Sequence, residues 1–113
     1  MTKICTDIKQ SQKLIELGID VDTADMHYVP YPNDEGWYDI PIIGKAYIPL
    51  NQLPCWSLSA LLGVIPEVSL NSFKDGGWNV MVKHDGRMIY GDKDNPVDAC
   101  VELIIKLKEQ KLL

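Results

Sequence analysis

The dipeptide Asp85-Gly86 constrains this chain more than any other two residues. It lies between two alternating runs, Trp78–Lys83 and Arg87–Tyr90. Asp-Gly is favoured in a two-residue type I′ hairpin turn because both central positions need positive φ. With that pair as the loop, the register follows by counting: His84 faces Arg87, Val82 faces Ile89 and Val80 faces Gly91. One face then carries Trp78, Val80, Val82 and Ile89, the other Met81, Met88 and Tyr90. Apolar side chains on both faces predict a sheet covered on both sides. Asn95-Pro96 follows closely as an N-cap and a first helical residue. Val97, Cys100, Val101, Ile104 and Leu107 then recur at helical spacing as a buried stripe, with Asp98, Glu102, Lys106 and Gln110 on the wet face.

The N-terminal half gives shorter signals. Asp7 and Gln10 have capping-box spacing, and a helix from about Ile8 to Leu17 is closed by Gly18, with Ile19 placed to touch Leu14. Thr23–Val29 alternates as a strand, with Ala24, Met26 and Tyr28 on one face and Asp25, His27 and Val29 on the other. Residues 30–54 are punctuated by Pro30, Pro32, Pro41, Pro49 and Pro54, so they form an irregular segment with at most short edge strands, at Tyr38–Ile43 and Lys45–Ile48. Ser57 can cap a short helix through Leu58, Leu61, Leu62 and Ile65, ended by Pro66, and Glu67–Asp75 is a linker or weak strand. The expected fold class is α+β: an antiparallel sheet of about three or more strands with helices packed on it, arranged as a three-layer α-β-α sandwich. At 113 residues, 46% of them apolar, residues 1–113 are expected to form a single domain with one modest core.

No apolar run approaches a membrane span, and Met1–Cys5 lacks the apolar region of a secretion signal, so a cytoplasmic protein is expected. Cys5, Cys55 and Cys100 make an odd count without a C-x-x-C pair. They read as reduced, buried residues rather than zinc ligands. The net charge of −5 is concentrated near the start: residues 1–40 hold eight acids and three lysines, whereas residues 73–113 hold seven of each sign. From Asp20 to Asp39 there are six acids and no Lys or Arg, which argues against direct contact with a nucleic-acid backbone. The stretch reads either as a solvated acidic loop or as a surface for a basic partner. Its aromatics likewise read either as rings that cap the core or as anchors for a protein partner. The partner-binding candidates are Tyr28, Tyr31, Asp34, Glu35, Trp37 and Tyr38.

Catalytic signals are weak. Asp25 and His27 share a strand face and could bind a metal or pair as an oriented base, with Asp20 and Asp22 just upstream. The EF-hand pattern fails, since Ala24 and Tyr31 stand where ligands are needed. No G-x-S-x-G elbow or phosphate-binding glycine loop occurs, and Cys55 has no neighbouring base. No catalytic residue, cofactor or resident metal is inferred.

Two blocks carry a resemblance. Leu14–Ile19 leading to Thr23–Met26, with Pro54–Leu62 further on, resembles a family of small uncharacterised proteins of bacterial genomes, their phages and mobile elements. Trp78-x-Val80 through Tyr90-Gly91-Asp92 to Ala99 looks like the ending of phage proteins described as α-β-α sandwich domains. The resemblance implies a layered α/β fold and a mobile-element setting, and it transfers no site residue. The expected function is that of an accessory protein acting by protein–protein interaction, without catalysis. The alternatives are a small enzyme or metal-binding protein centred on Asp25 and His27, and an acidic inhibitor or immunity-type protein that imitates nucleic acid.

Overall fold

The computed structural model describes residues 3–33 and 35–113. Three helices, α1 (Ile8–Glu16), α2 (Leu58–Val64) and α3 (Pro96–Glu109), combine with six strands: β1 (Met26–Tyr28), β2 (Ile42–Ile43), β3 (Leu53–Cys55), β4 (Ser69–Ser72), β5 (Trp78–His84) and β6 (Arg87–Lys93). The strands form two antiparallel three-stranded sheets, ordered β2-β1-β3 and β4-β5-β6. The fold is therefore α+β with helices packed on antiparallel sheets.

Local chemistry sets the elements. The β5–β6 hairpin pairs His84 with Arg87, Val82 with Ile89 and Val80 with Gly91. Its turn places Asp85 at φ 50° and Gly86 at φ 79°, as a type I′ turn requires. At the start of α1, Asp7 and Gln10 make both capping-box bonds. At its end Gly18 has φ 86°, and the Gly18 and Ile19 amides donate to Ile15 and Leu14 carbonyls at 3.0 Å, the bond pair of a Schellman ending. Asn95 caps α3 by accepting from the Asp98 amide at 2.9 Å, and Ser57 caps α2 by accepting from the Ala60 amide.

Helix α3 rests on β5 and β6 and also touches α2 and α1, while α1 rests on β3. The helices thus link the two sheets, where the sequence suggested one sheet between helical layers. The two faces of the β4-β5-β6 sheet differ in cover, and among the described residues helix α3 packs on one of them. Val80, Val82 and Ile89 are buried toward α3, but Met88 and Tyr90 on the opposite face remain about half exposed. Because α3 is packed on more than one side, Ala99 and Leu103 are buried along with the expected Val97, Cys100, Val101, Ile104 and Leu107. The close approach of β6 to α3 depends on Gly91: a Cβ there would lie 2.0 Å from the Ala99 carbonyl oxygen.

Two apolar clusters fill the interior. The larger one gathers Leu14, Trp56, Leu61, the inward residues of β5 and β6, and α3. The smaller one holds Cys5, Met26, Tyr28, Leu53 and Cys55. Neighbouring Cys55 and Trp56 enter different clusters, as successive residues of extended chain point to opposite sides. The Trp56 indole N–H donates to Thr23 Oγ1 at 2.9 Å, and its amide donates to Thr6 Oγ1 at 3.0 Å.

Candidate functional site

The segment that joins β1 to β3 positions the candidate residues. After β1 the chain folds back on itself: the Tyr38 amide donates to the Val29 carbonyl and the Tyr31 amide to the Gly36 carbonyl, both at 2.9 Å. Gly36, at φ 123°, supplies a conformation that L side chains avoid. This small hairpin sets Pro30 opposite Trp37 and brings the Tyr31 and Tyr38 rings edge to face, with centroids 4.6 Å apart. Both rings are exposed. Trp37 is half-buried, and its indole N–H donates to the Asn51 carbonyl at 2.9 Å, which ties the hairpin to the turn before β3. Beside it lies a concavity of about 360 Å³, lined in part by Ile15, Pro30, Trp37, Ile48 and Gln52.

The predicted residues divide accordingly. Tyr31, Glu35 and Tyr38 are exposed, and Trp37 forms a wall of the concavity. Tyr28 is a correction: only 5% exposed, it lies in the smaller core, and its hydroxyl donates to the Thr6 carbonyl at 2.7 Å. Its place was already legible, because alternation puts Tyr28 on the same face as Ala24 and Met26. Asp34 lies outside the described residues.

Sequence reasoning missed the apolar half of the surface. Ile40, Ile42, Ile43, Tyr47, Ile48 and Leu50 are all exposed, Ile40 at 75% and Ile43 at 86%. Full burial of one such side chain is worth about 1.5–3 kcal/mol. A run of exposed isoleucines is therefore a patch that gains much from being covered. The available signal was proline density: Pro41 and Pro49 keep these residues out of a wide sheet that would bury them.

The expected edge strand at Tyr38–Ile43 shrinks to Ile42–Ile43, and Ile48–Leu50 is a 3-10 turn rather than the end of a strand. Pro54 sits in β3, which is an edge strand. It opposes His27, whose amide group is committed to β2, so the missing proline N–H costs the ladder nothing.

The acids of this half have mixed roles. Asp20 caps the 3-10 turn Val21–Thr23, and Asp25 accepts from both the amide and the hydroxyl of Ser57. Glu35 and Asp39 are exposed. Among the described residues, none of the acids from Asp20 to Asp39 enters an ion pair. Asp25 and His27 are not joined as a site: both Asp25 oxygens are engaged by Ser57, and His27 Nδ1 lies 2.8 Å from the Gly44 carbonyl. Among the described residues no three His, Cys, Asp or Glu side chains gather as a cation would need.

The smaller core contains three perturbed groups of its own, Cys5, Cys55 and Tyr28. A hydrogen bond from the Cys55 thiol draws the Cys5 thiol down to about 7, against the opposing effect of burial. The same bond and burial push Cys55 up, and burial together with the Cys5 contact pushes the Tyr28 hydroxyl up. Cys5 and Cys55 are closed to solvent, so this pair is internal. Comparison of the chain with protein-family models, curated proteins and solved structures finds no match.

Proposed function

We propose that this protein is a non-catalytic accessory protein, in a phage or mobile-element setting, that acts by binding another protein through the segment between β1 and β3. The reading rests on one observation: exposed Tyr31, Tyr38, Ile40 and Ile43 occur together in a segment whose acids have no ionic partner among the described residues. Large apolar and aromatic side chains supply the desolvation energy of an interface, and fixed charge supplies its selectivity. The cytoplasm is the proposed location. Among the described residues no helix is long and apolar enough to cross a membrane.

Quantitative capture from host lysate tests the proposal. A partner retained by the wild-type protein should bind at least about tenfold more weakly to Trp37→Ala, Tyr38→Ala and Glu35→Lys. Tyr90→Ala, on the open face of the other sheet, should leave binding unchanged. Full retention by all three segment variants would place the interface elsewhere.

A further inference from the structure

We infer that the open edge of β2 takes an extended segment of a partner protein in which apolar residues alternate with lysine or arginine. This deepens the interaction reading above and rests on it.

The main chain provides the first part of the argument. The Gly44 amide donates to the Asp25 carbonyl at 2.9 Å, and Ile42 pairs with His27. Amide groups alternate in direction along an antiparallel strand. With Ile42 and Gly44 turned to β1, Ile43 turns its own N–H and C=O outward. Among the described residues no strand lies beyond β2. An outward donor and acceptor on an edge strand are the elements that strand addition uses. Pro41 lacks an N–H, so this ladder is short: the main chain orients the incoming segment and side chains supply most of the affinity.

The side chains provide the second part. Tyr38, Ile40, Ile42 and Ile43 flank that edge, and all are exposed. Ile42 and Ile43 are successive strand residues and point to opposite faces, so an incoming strand with apolar residues on alternate positions covers one of the two with its apolar face.

Charge then selects the occupant. From Asp20 to Leu50 the chain carries six acids and one base, Lys45. A second copy of this chain would bring the same acidic set against it, which is repulsive. A neutral apolar strand would leave Glu35 and Asp39, both exposed and in no ion pair among the described residues, without partners. A strand that adds lysine or arginine can pair with these two and is steered in by the chain's net charge of −5.

The test uses the full chain labelled for NMR and two synthetic peptides of about ten residues, the upper end of strand length. Both alternate valine with a charged residue, lysine in one and glutamate in the other. The lysine peptide is expected to bind at least about tenfold more tightly at low salt, with the advantage shrinking as salt screens the charges. On binding, exchange of the Ile43 amide should slow while that of Ile42, already bonded to β1, stays the same. Ile43→Pro, which removes the outward N–H, should weaken the lysine peptide about tenfold. If that variant does not fold, Asp39→Lys and the Ile43 exchange rate in the wild type decide instead.

Equal binding of both peptides, or lysine-peptide binding without slowed exchange at Ile43, overturns the inference. So does absence of lysine-peptide binding; if a captured partner still depends on Trp37 and Tyr38, only the strand-edge inference falls and the broader interaction reading stands. Lysine-peptide binding at Ile43 supports the inference even where Trp37→Ala leaves capture unchanged, a result that moves the interface from Trp37 to the edge.

Discussion

Gly91 and Ala99 meet where β6 crosses α3, and no side chain larger than hydrogen fits at position 91. Gly91→Ala is expected to cost about 3 kcal/mol, the upper range for overpacking, as read by chemical denaturation. Asp98 makes a different case. Burial pushes its carboxyl up, but hydrogen bonds from Lys3, Gln10 and Asn95 outweigh that and hold it below the usual carboxylate range. The folded pKa lies below the unfolded one, so its stabilisation is fully present above the unfolded value and fades as pH falls through the folded value. Acid titration should show stability declining below about pH 4, the ordinary aspartate range, and Asp98→Asn should flatten that decline. The sequence disclosed Asp98 only as a residue on the wet face of the helix, because Lys3 comes from the far end of the chain. Gly91 carried no local mark either: its role depends on a helix backbone that periodicity does not position.

At the scale of elements, what was legible is what neighbouring residues decide together. Asp85-Gly86 set the hairpin register, and Asp7, Gly18, Ser57 and Asn95 marked helix ends. Asn95→Ala should destabilise the protein by about 1 kcal/mol in thermal or chemical unfolding, the usual worth of an N-cap. The smaller sheet was harder to read. Strands β2 and β3 have two and three residues, one includes a proline, and long-range pairing rather than alternation brings them to β1. Apolar residues on both hairpin faces, with Met81, Met88 and Tyr90 on the second, point to a second covering layer. An antiparallel sheet readily leaves one face wet, with Tyr90 lying under the Lys106 ammonium at 5.1 Å. The candidate surface was half legible for a related reason. Composition marked its acids and aromatics, whereas the exposure of Ile40 and Ile43 depends on which strands fail to form around them.

Across the whole molecule, the two sheets are unequal. The β5–β6 hairpin has seven-residue strands backed by α3, whereas the β2-β1-β3 sheet has two- and three-residue strands over a small cluster. Amide exchange should therefore be slowest in β5 and α3 and at least about tenfold faster in β1 and β3, because fewer buried contacts must break to open them. Equal protection of both sheets would show that they open as one unit. The lesser stability of the small sheet is compatible with a binding edge, since binding surfaces are drawn from regions that open readily.

The placement of α3 also bears on how the chain is born. Leu14, Trp56 and Leu61 are made before the α3 residues that share their cluster, since α3 begins only at Pro96. Synthesis proceeds from the N-terminus at about 5–20 residues per second. For the seconds between those events, the nascent protein presents a tryptophan and two leucines to its surroundings. A ribosome-bound chaperone would find its target in that interval, and a stall before Pro96 is added would leave a sticky chain rather than a smaller folded one.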